Sequence, residues 1–111
     1  MAQLMKSKFL EITVAALWIT MCGSAGAAAK TVRIVVDKLE FQPAEAAIAV
    51  GDTIEWVNRD FLAHTATARD GKWELVLPPG ATKQLQIKDA GRLDYYCKYH
   101  PNMRGTLTVG Q

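Results

Sequence analysis

The chain is short of the residues that most enzyme chemistry draws on: its 111 residues include two cysteines and two histidines. Two imidazoles are too few for a multicopper catalytic centre, and they leave no Ser-His-Asp arrangement with a histidine to spare. No glycine-rich phosphate loop and no pair of acids in a recognisable catalytic setting is present, so the chain reads as a non-enzyme. Like charges form no run and the formal net charge is only +2, which excludes a nucleic-acid binder or a strongly basic membrane-surface protein. Repeats, low-complexity stretches and linkers are also lacking, which leaves room for one small domain.

What is present begins with a leader. Lys6 and Lys8 precede an apolar run from Ile12 to Met21, followed by the small residues Gly23 to Ala29. That order is a secretory signal, with Ala25-Gly26-Ala27 or Ala27-Ala28-Ala29 as the cleavage box. The expectation is a signal peptide over 1–29 and a domain over 30–111, exported to the periplasm. An uncleaved anchor is the alternative, but glycine, serine and threonine dilute the run and no basic residue follows it before Lys30. Cleavage takes away Lys6, Lys8 and Glu11, leaving eleven basic and ten acidic side chains. It also removes Cys22, so Cys97 becomes the single thiol. An unpaired thiol in an exported protein is open to oxidation and needs a reason to be there; a buried cysteine packed as a small hydrophobe is the plainer alternative. A domain this small often needs a staple, and with no disulfide to be had a metal can supply one.

Short β-like runs fill the rest. Thr31–Val36 is β-branched and roughly alternating. Asp37 to Pro43 reads as a connection anchored by Phe41, and Ala46, Ile48 and Val50 then share a face before the Gly51-Asp52 turn. Thr53–Asn58 sets Ile54 and Trp56 on one side, and Asn58-Arg59-Asp60 breaks the pattern. His64 therefore sits in a loop or opens the next strand, Thr65–Arg69. Past the Asp70-Gly71 turn, Trp73, Leu75 and Leu77 alternate until Pro78-Pro79-Gly80 stops them. Lys83, Leu85 and Ile87 alternate with Gln84 and Gln86, and Leu93, Tyr95 and Cys97 share an inner face. Thr106–Val109 closes the chain. About eight short strands with no credible helix predict an all-β Greek-key sandwich.

The chemistry-bearing stretch is Tyr95-Tyr96-Cys97-Lys98-Tyr99-His100-Pro101-Asn102-Met103. It spaces a thiol, an imidazole and a thioether three residues apart on a tight loop stiffened by Pro101. His64, the other histidine, lies at a distant strand end. Two imidazoles, a thiolate and a weak thioether form the pattern of a blue-copper electron-transfer site. Cu(I) favours soft sulfur and Cu(II) favours nitrogen, so a stiff mixed set lets an electron pass with little rearrangement. Cys-x-x-His alone is a weak signal, and Met103 alone reads as core. The four together, in an exported β chain with no other His or Cys, are far more specific.

Val50-Gly51-Asp52-Thr53-Ile54-Glu55-Trp56-Val57-Asn58, the His64 loop, and Tyr95 to Gly105 resemble the cupredoxin family, the Cys-x-x-His-x-x-Met loop followed by Arg-Gly being most similar to amicyanins. The resemblance covers essentially residues 30–111. It implies His64, Cys97 and His100 as equatorial ligands and Met103 as the axial ligand of one type 1 copper ion cycling between Cu(I) and Cu(II). It further implies a periplasmic one-electron carrier between redox proteins, such as a quinoprotein dehydrogenase donor and a c-type cytochrome or reductase acceptor. Partners are expected to dock near His100, on an apolar rim of Leu62, Tyr99, Pro101 and Pro79, with the carrier a monomer. Thr65 stands where these proteins usually have asparagine, so support of the thiolate falls to its backbone N–H or its hydroxyl. Lys98 brings a positive charge expected to favour the reduced ion and raise the potential. Tyr99 and Asn102 replace loop residues that are often apolar. The competing readings are a copper-binding module for storage, delivery or resistance, and a structural zinc protein, which the methionine disfavours.

Overall fold

The computed structural model describes residues 28–111, so the leader expected over 1–29, with Cys22, lies outside the described residues except for Ala28 and Ala29. Nine strands and no helix follow among the described residues: β1 (Thr31–Asp37), β2 (Glu40–Gln42), β3 (Glu45–Ala49), β4 (Thr53–Asn58), β5 (His64–Ala68), β6 (Glu74–Leu77), β7 (Thr82–Gln86), β8 (Gly91–Tyr96) and β9 (Arg104–Gly110). They form two sheets, in the orders β2-β1-β4-β7 and β3-β9-β8-β5-β6. The all-β sandwich expected from the alternation is what forms. The ninth strand is β2, three residues inside the stretch expected as a plain connection, and Phe41 at its centre is buried as expected. Val50 departs from its expected face: β3 ends at Ala49, and Val50 is exposed in the turn beyond it.

Alternation buries one face of most strands, while β5 is buried throughout and β7 is half-covered only at Leu85. Ile34, Val36, Ile54 and Trp56 from one sheet meet Leu77, Tyr95, Leu107 and Val109 from the other in a single core. Tyr95 is the aromatic hub: Phe41 and Trp56 meet its ring edge-on at 4.7 and 5.6 Å between centroids, and Trp73 lies 5.9 Å away. Burial pushes the Tyr95 phenol far above its ordinary value, the neighbouring Trp56 indole pulling the other way, so the ring stays neutral. Its cross-strand partner is Gly105, over which the ring lies.

A side chain ties the start of β1 to the turn between β3 and β4. Asp52 accepts the Lys30 and Ala49 N–H groups, each at 2.9 Å, and these bonds, the Lys30 one foremost, hold its carboxyl below the usual value. A depressed folded value stabilises the protein above the unfolded carboxyl value of about 4 and ceases to do so as the pH falls through the folded value. Thermal scans are therefore expected to show the melting temperature falling below about pH 4. Asp52→Asn should lower it at neutral pH and flatten the acid decline.

Two adjacencies decide where the site lies. β5 runs antiparallel to β8, with Thr67 opposite Tyr96 and Ala68 opposite Tyr95, so the start of β5 runs on past the end of β8, alongside the loop that follows it. β8 in turn pairs antiparallel with β9, and the loop between them rises at that same end.

Candidate metal centre

His64 is delivered by the crossover from β4 to β5, and side chains fix that crossover. Asn58, buried, accepts the Asp60 N–H through Oδ1 at 2.9 Å, while its Nδ2 donates to the Leu62 and Leu77 carbonyls at 2.8 and 2.9 Å. The Asp60 carboxylate then reaches back to the two-residue turn between β1 and β2, accepting the Lys38 and Leu39 N–H groups at 2.7 and 3.1 Å. That turn holds Lys38 and Leu39 at φ 52° and 60°, a left-handed pair normally given to Asn-Gly, and the two charge-assisted bonds offset its strain.

Asp60 Oδ2 also lies 2.7 Å from His64 Nε2. Burial raises the Asp60 carboxyl, but the Leu39 and Lys38 N–H groups and His64 together outweigh it, so the group is held below its ordinary value. A carboxylate only accepts, which puts the imidazole proton on Nε2 and leaves Nδ1 with a free lone pair aimed at Cys97. Removing the partner that orients a ligating histidine typically costs about 10–100-fold in metal affinity. Competition against a chelator is expected to show a loss of that size in Asp60→Ala.

Cys97 follows β8 directly and is fully buried, pointing inward like Tyr95, as the alternation predicts. Its loop closes on itself: Met103 N–H donates to the His100 carbonyl at 2.8 Å, and Cys97 N–H to the Met103 carbonyl at 3.1 Å. Met103 is buried in the same apolar cluster as Cys97. His100 is half-buried at the loop's crest.

The donor atoms converge. Cys97 Sγ is 3.7 Å from His64 Nδ1 and 3.9 Å from His100 Nδ1, and all three lie within 4.8 Å of one another. Taking zinc's bond lengths as a guide, about 2.0 Å to nitrogen and about 2.3 Å to sulfur, one ion bridges a nitrogen–sulfur pair separated by roughly 3.5–3.7 Å. The set fits a single ion with little adjustment. Two imidazoles and a thiol with methionine in the same cluster are a copper donor set, suited to both oxidation states.

Of the two supports open to the thiolate, the backbone provides the direct one: Thr65 N–H donates to Cys97 Sγ at 3.4 Å. The Thr65 hydroxyl instead accepts the Lys98 N–H at 2.9 Å. The positive charge expected from Lys98 is paired in the structure: its ammonium lies 2.8 Å from Glu74 Oε1. That bond is the chief cause holding the Lys98 ammonium above and the Glu74 carboxyl below their ordinary values.

Sequence reasoning passed over Asp60, reading it only as a strand breaker. Its signal was an acid four residues before the histidine, in an Asn-x-Asp loop. It also passed over Phe61, 98% exposed beside Leu62 at 52%, and Leu39, exposed in the left-handed turn that Asp60 holds.

Comparison with known proteins agrees with this geometry. Amicyanin of Paracoccus denitrificans is 35% identical over 88 residues, covering 68% of this chain and 64% of that protein, so the chain spans somewhat under two thirds of that relative's length. The methylamine utilization protein MauL of Methylorubrum extorquens is 29% identical over 109 residues, covering 95% of this chain and 96% of that one. A reduced-state amicyanin mutant superposes with a TM-score of 0.62 at 28% identity, covering 71% of this chain and 81% of that chain. A copper-containing nitrite reductase from Thermus scotoductus gives a TM-score of 0.65 at 27% identity, over 73% of this chain but 22% of that much larger one. Residues 10–109 match the model of the cupredoxin-like domain, and the chain, with its two-sheet fold and with His64, Cys97 and His100 gathered together, belongs to that family.

Proposed function

We propose that this protein is a periplasmic one-electron carrier in which His64, Cys97, His100 and Met103 would hold one copper ion. The observation that supports it most is the convergence of two Nδ1 atoms and one Sγ within 4.8 Å, brought from segments 33 residues apart. Bound there, copper supplies a reversible Cu(I)/Cu(II) couple. The chain's part is to hold the donors still: Asp60 fixes one imidazole, Thr65 N–H braces the sulfur, and the backbone bonds of the 97–103 loop limit movement between oxidation states.

On this reading, exposed apolar residues of the neighbouring loops would form a rim around the half-buried His100. Phe61, Leu62, Leu39 and Tyr99 are exposed, with Pro79 and Pro101 also at the surface. A redox partner docks on this rim, at the small end of interface sizes that brief electron-transfer contacts use. The partners are a dehydrogenase donor and a c-type cytochrome or reductase acceptor, and the likeness to a methylamine utilization protein favours amine oxidation as the electron source. The carrier acts as a monomer, and residues 1–29 serve as its export signal.

Loading the protein with Cu(II) and cycling it with a mild reductant and oxidant tests this reading. A carrier turns from blue to colourless and back while keeping its copper. Transfer of the metal to an acceptor chelator on reduction would instead mark a storage or delivery module. For the rim, Phe61→Glu and Leu62→Glu are each expected to slow bimolecular electron transfer about tenfold or more, the scale of losing one apolar contact and placing a charge in the interface. Stopped-flow rates with a c-type cytochrome that equal the parent's would dismiss this docking face.

A further inference from the structure

The outer face of β5 carries a hydrogen-bonded chain that the copper reading does not require. Thr65 and Thr67 alternate with the inward-facing His64, Ala66 and Ala68, and yet both hydroxyl-bearing residues are buried. Lys98 N–H meets Thr65 Oγ1 at 2.9 Å, Thr65 Oγ1 meets Thr67 Oγ1 at 2.9 Å, and Thr67 Oγ1 meets Glu74 Oε1 at 2.9 Å. Lys98 Nζ then closes the circuit on Glu74 Oε1.

The proton directions follow from counting. An ionised carboxylate has no proton to give, so Thr67 spends its only hydroxyl proton on Glu74. Thr67 oxygen must then accept from Thr65, and Thr65 oxygen in turn accepts from the Lys98 amide. Every bond points the same way, from the peptide that follows Cys97 to a negative charge on β6, and bonds aligned in this way polarise and strengthen one another. Thr65 thus grips both sides of the Cys97–Lys98 peptide link, with its N–H on the sulfur and its hydroxyl on the next amide.

We propose that Thr65, Thr67 and Glu74 are positioning residues forming a one-directional relay that locks the cysteine end of the metal loop, and that the Glu74–Lys98 pair sets the potential through opposing charges. The assignment rests on the copper reading for its second half only. A positive charge near the ion favours Cu(I) and a negative one favours Cu(II), so the paired charges act against each other, and removing either one unbalances the pair. The pair is partly exposed, with side-chain accessibilities of 51% for Lys98 and 37% for Glu74, so salt screens what is left.

Two measurements test the two halves. In the metal-free protein, Thr65→Val is expected to speed hydrogen exchange at the Lys98 amide about tenfold, the scale of one lost hydrogen bond, while Thr65→Ser, which keeps the hydroxyl, restores protection. Thr67→Val interrupts the relay one step further out and gives the same reading should Thr65→Val fail to fold. In the copper-loaded protein, Glu74→Gln keeps an acceptor for Thr67 but removes the charge, and is expected to raise the midpoint potential. Lys98→Met is expected to lower it, the double variant to return towards the parent, and both single shifts to shrink in high salt. Unchanged Lys98 exchange in the threonine variants overturns the relay; single-variant potentials that stay put or move in the same direction overturn the charge pair. A parent protein that never turns blue refutes the copper reading and the potential-setting role with it, and the exchange measurement still decides the relay.

Discussion

The Cys97→Ser protein is expected to lose the intense visible absorption of the copper-loaded form and to hold Cu(I) far more weakly, while remaining folded. The colour of such a site needs a thiolate bonded to the ion, and a serine hydroxyl does not ionise at neutral pH to replace it. Softness adds to the effect: Cu(I) prefers sulfur, and the exchange removes the one strong sulfur donor, leaving two imidazoles and a thioether. Serine is close to cysteine in size but more polar, so placing it in this fully buried position costs about 1–3 kcal/mol unless the hydroxyl finds a partner. A visible spectrum recorded beside a metal-free melting curve separates the two effects. Blue colour that survives in the variant would remove Cys97 from the site.

A second large effect concerns the packing of β8 on β9 rather than a donor atom. Gly105→Ala is expected to destabilise the metal-free protein by about 3 kcal/mol or more, at the upper end of overpacking costs. A Cβ at this position would fall on the Tyr95 ring. The ring has little freedom to withdraw, because Phe41, Trp56 and Trp73 are packed around it. For a domain of this size each kcal/mol corresponds to about 4–8 °C in melting temperature, so a fall of roughly 12 °C or more is the reading to look for. The penalty belongs to the contact, so it should shrink in a Tyr95→Leu background. Since β8 leads directly into Cys97, displacing Tyr95 also moves the sulfur, and copper affinity in Gly105→Ala should fall along with stability.

Much of the architecture was legible because a strand has a period of two. Ile54 and Trp56, or Tyr95 and Cys97, declare their inner face from local alternation, and the turn residues between runs mark where strands stop. The exception on the fold side is instructive. The Lys38–Leu39 turn has none of the residues that favour left-handed backbone, so β2 stayed hidden in what looked like a connection. Its stability comes from Asp60, about twenty residues on, and no local rule reads a partner at that distance. The same carboxylate was missed at the site, because an acid in a loop looks like any other solvated charge until its three partners are placed around it.

By itself the sequence determined the donor types, their three-residue spacing on one loop, the inner orientation of Cys97 and the β class, all of which follow from residue chemistry and short-range periodicity. Only the tertiary structure decided that β1 lies parallel to β4 and β3 parallel to β9, and that the start of β5 runs on past the end of β8. It alone decided that Asp60 assigns the proton of His64 and that Glu74 answers the charge of Lys98. Pairings between remote segments are selected by the packing of the whole core, and a buried polar group takes whichever partner that packing brings within reach.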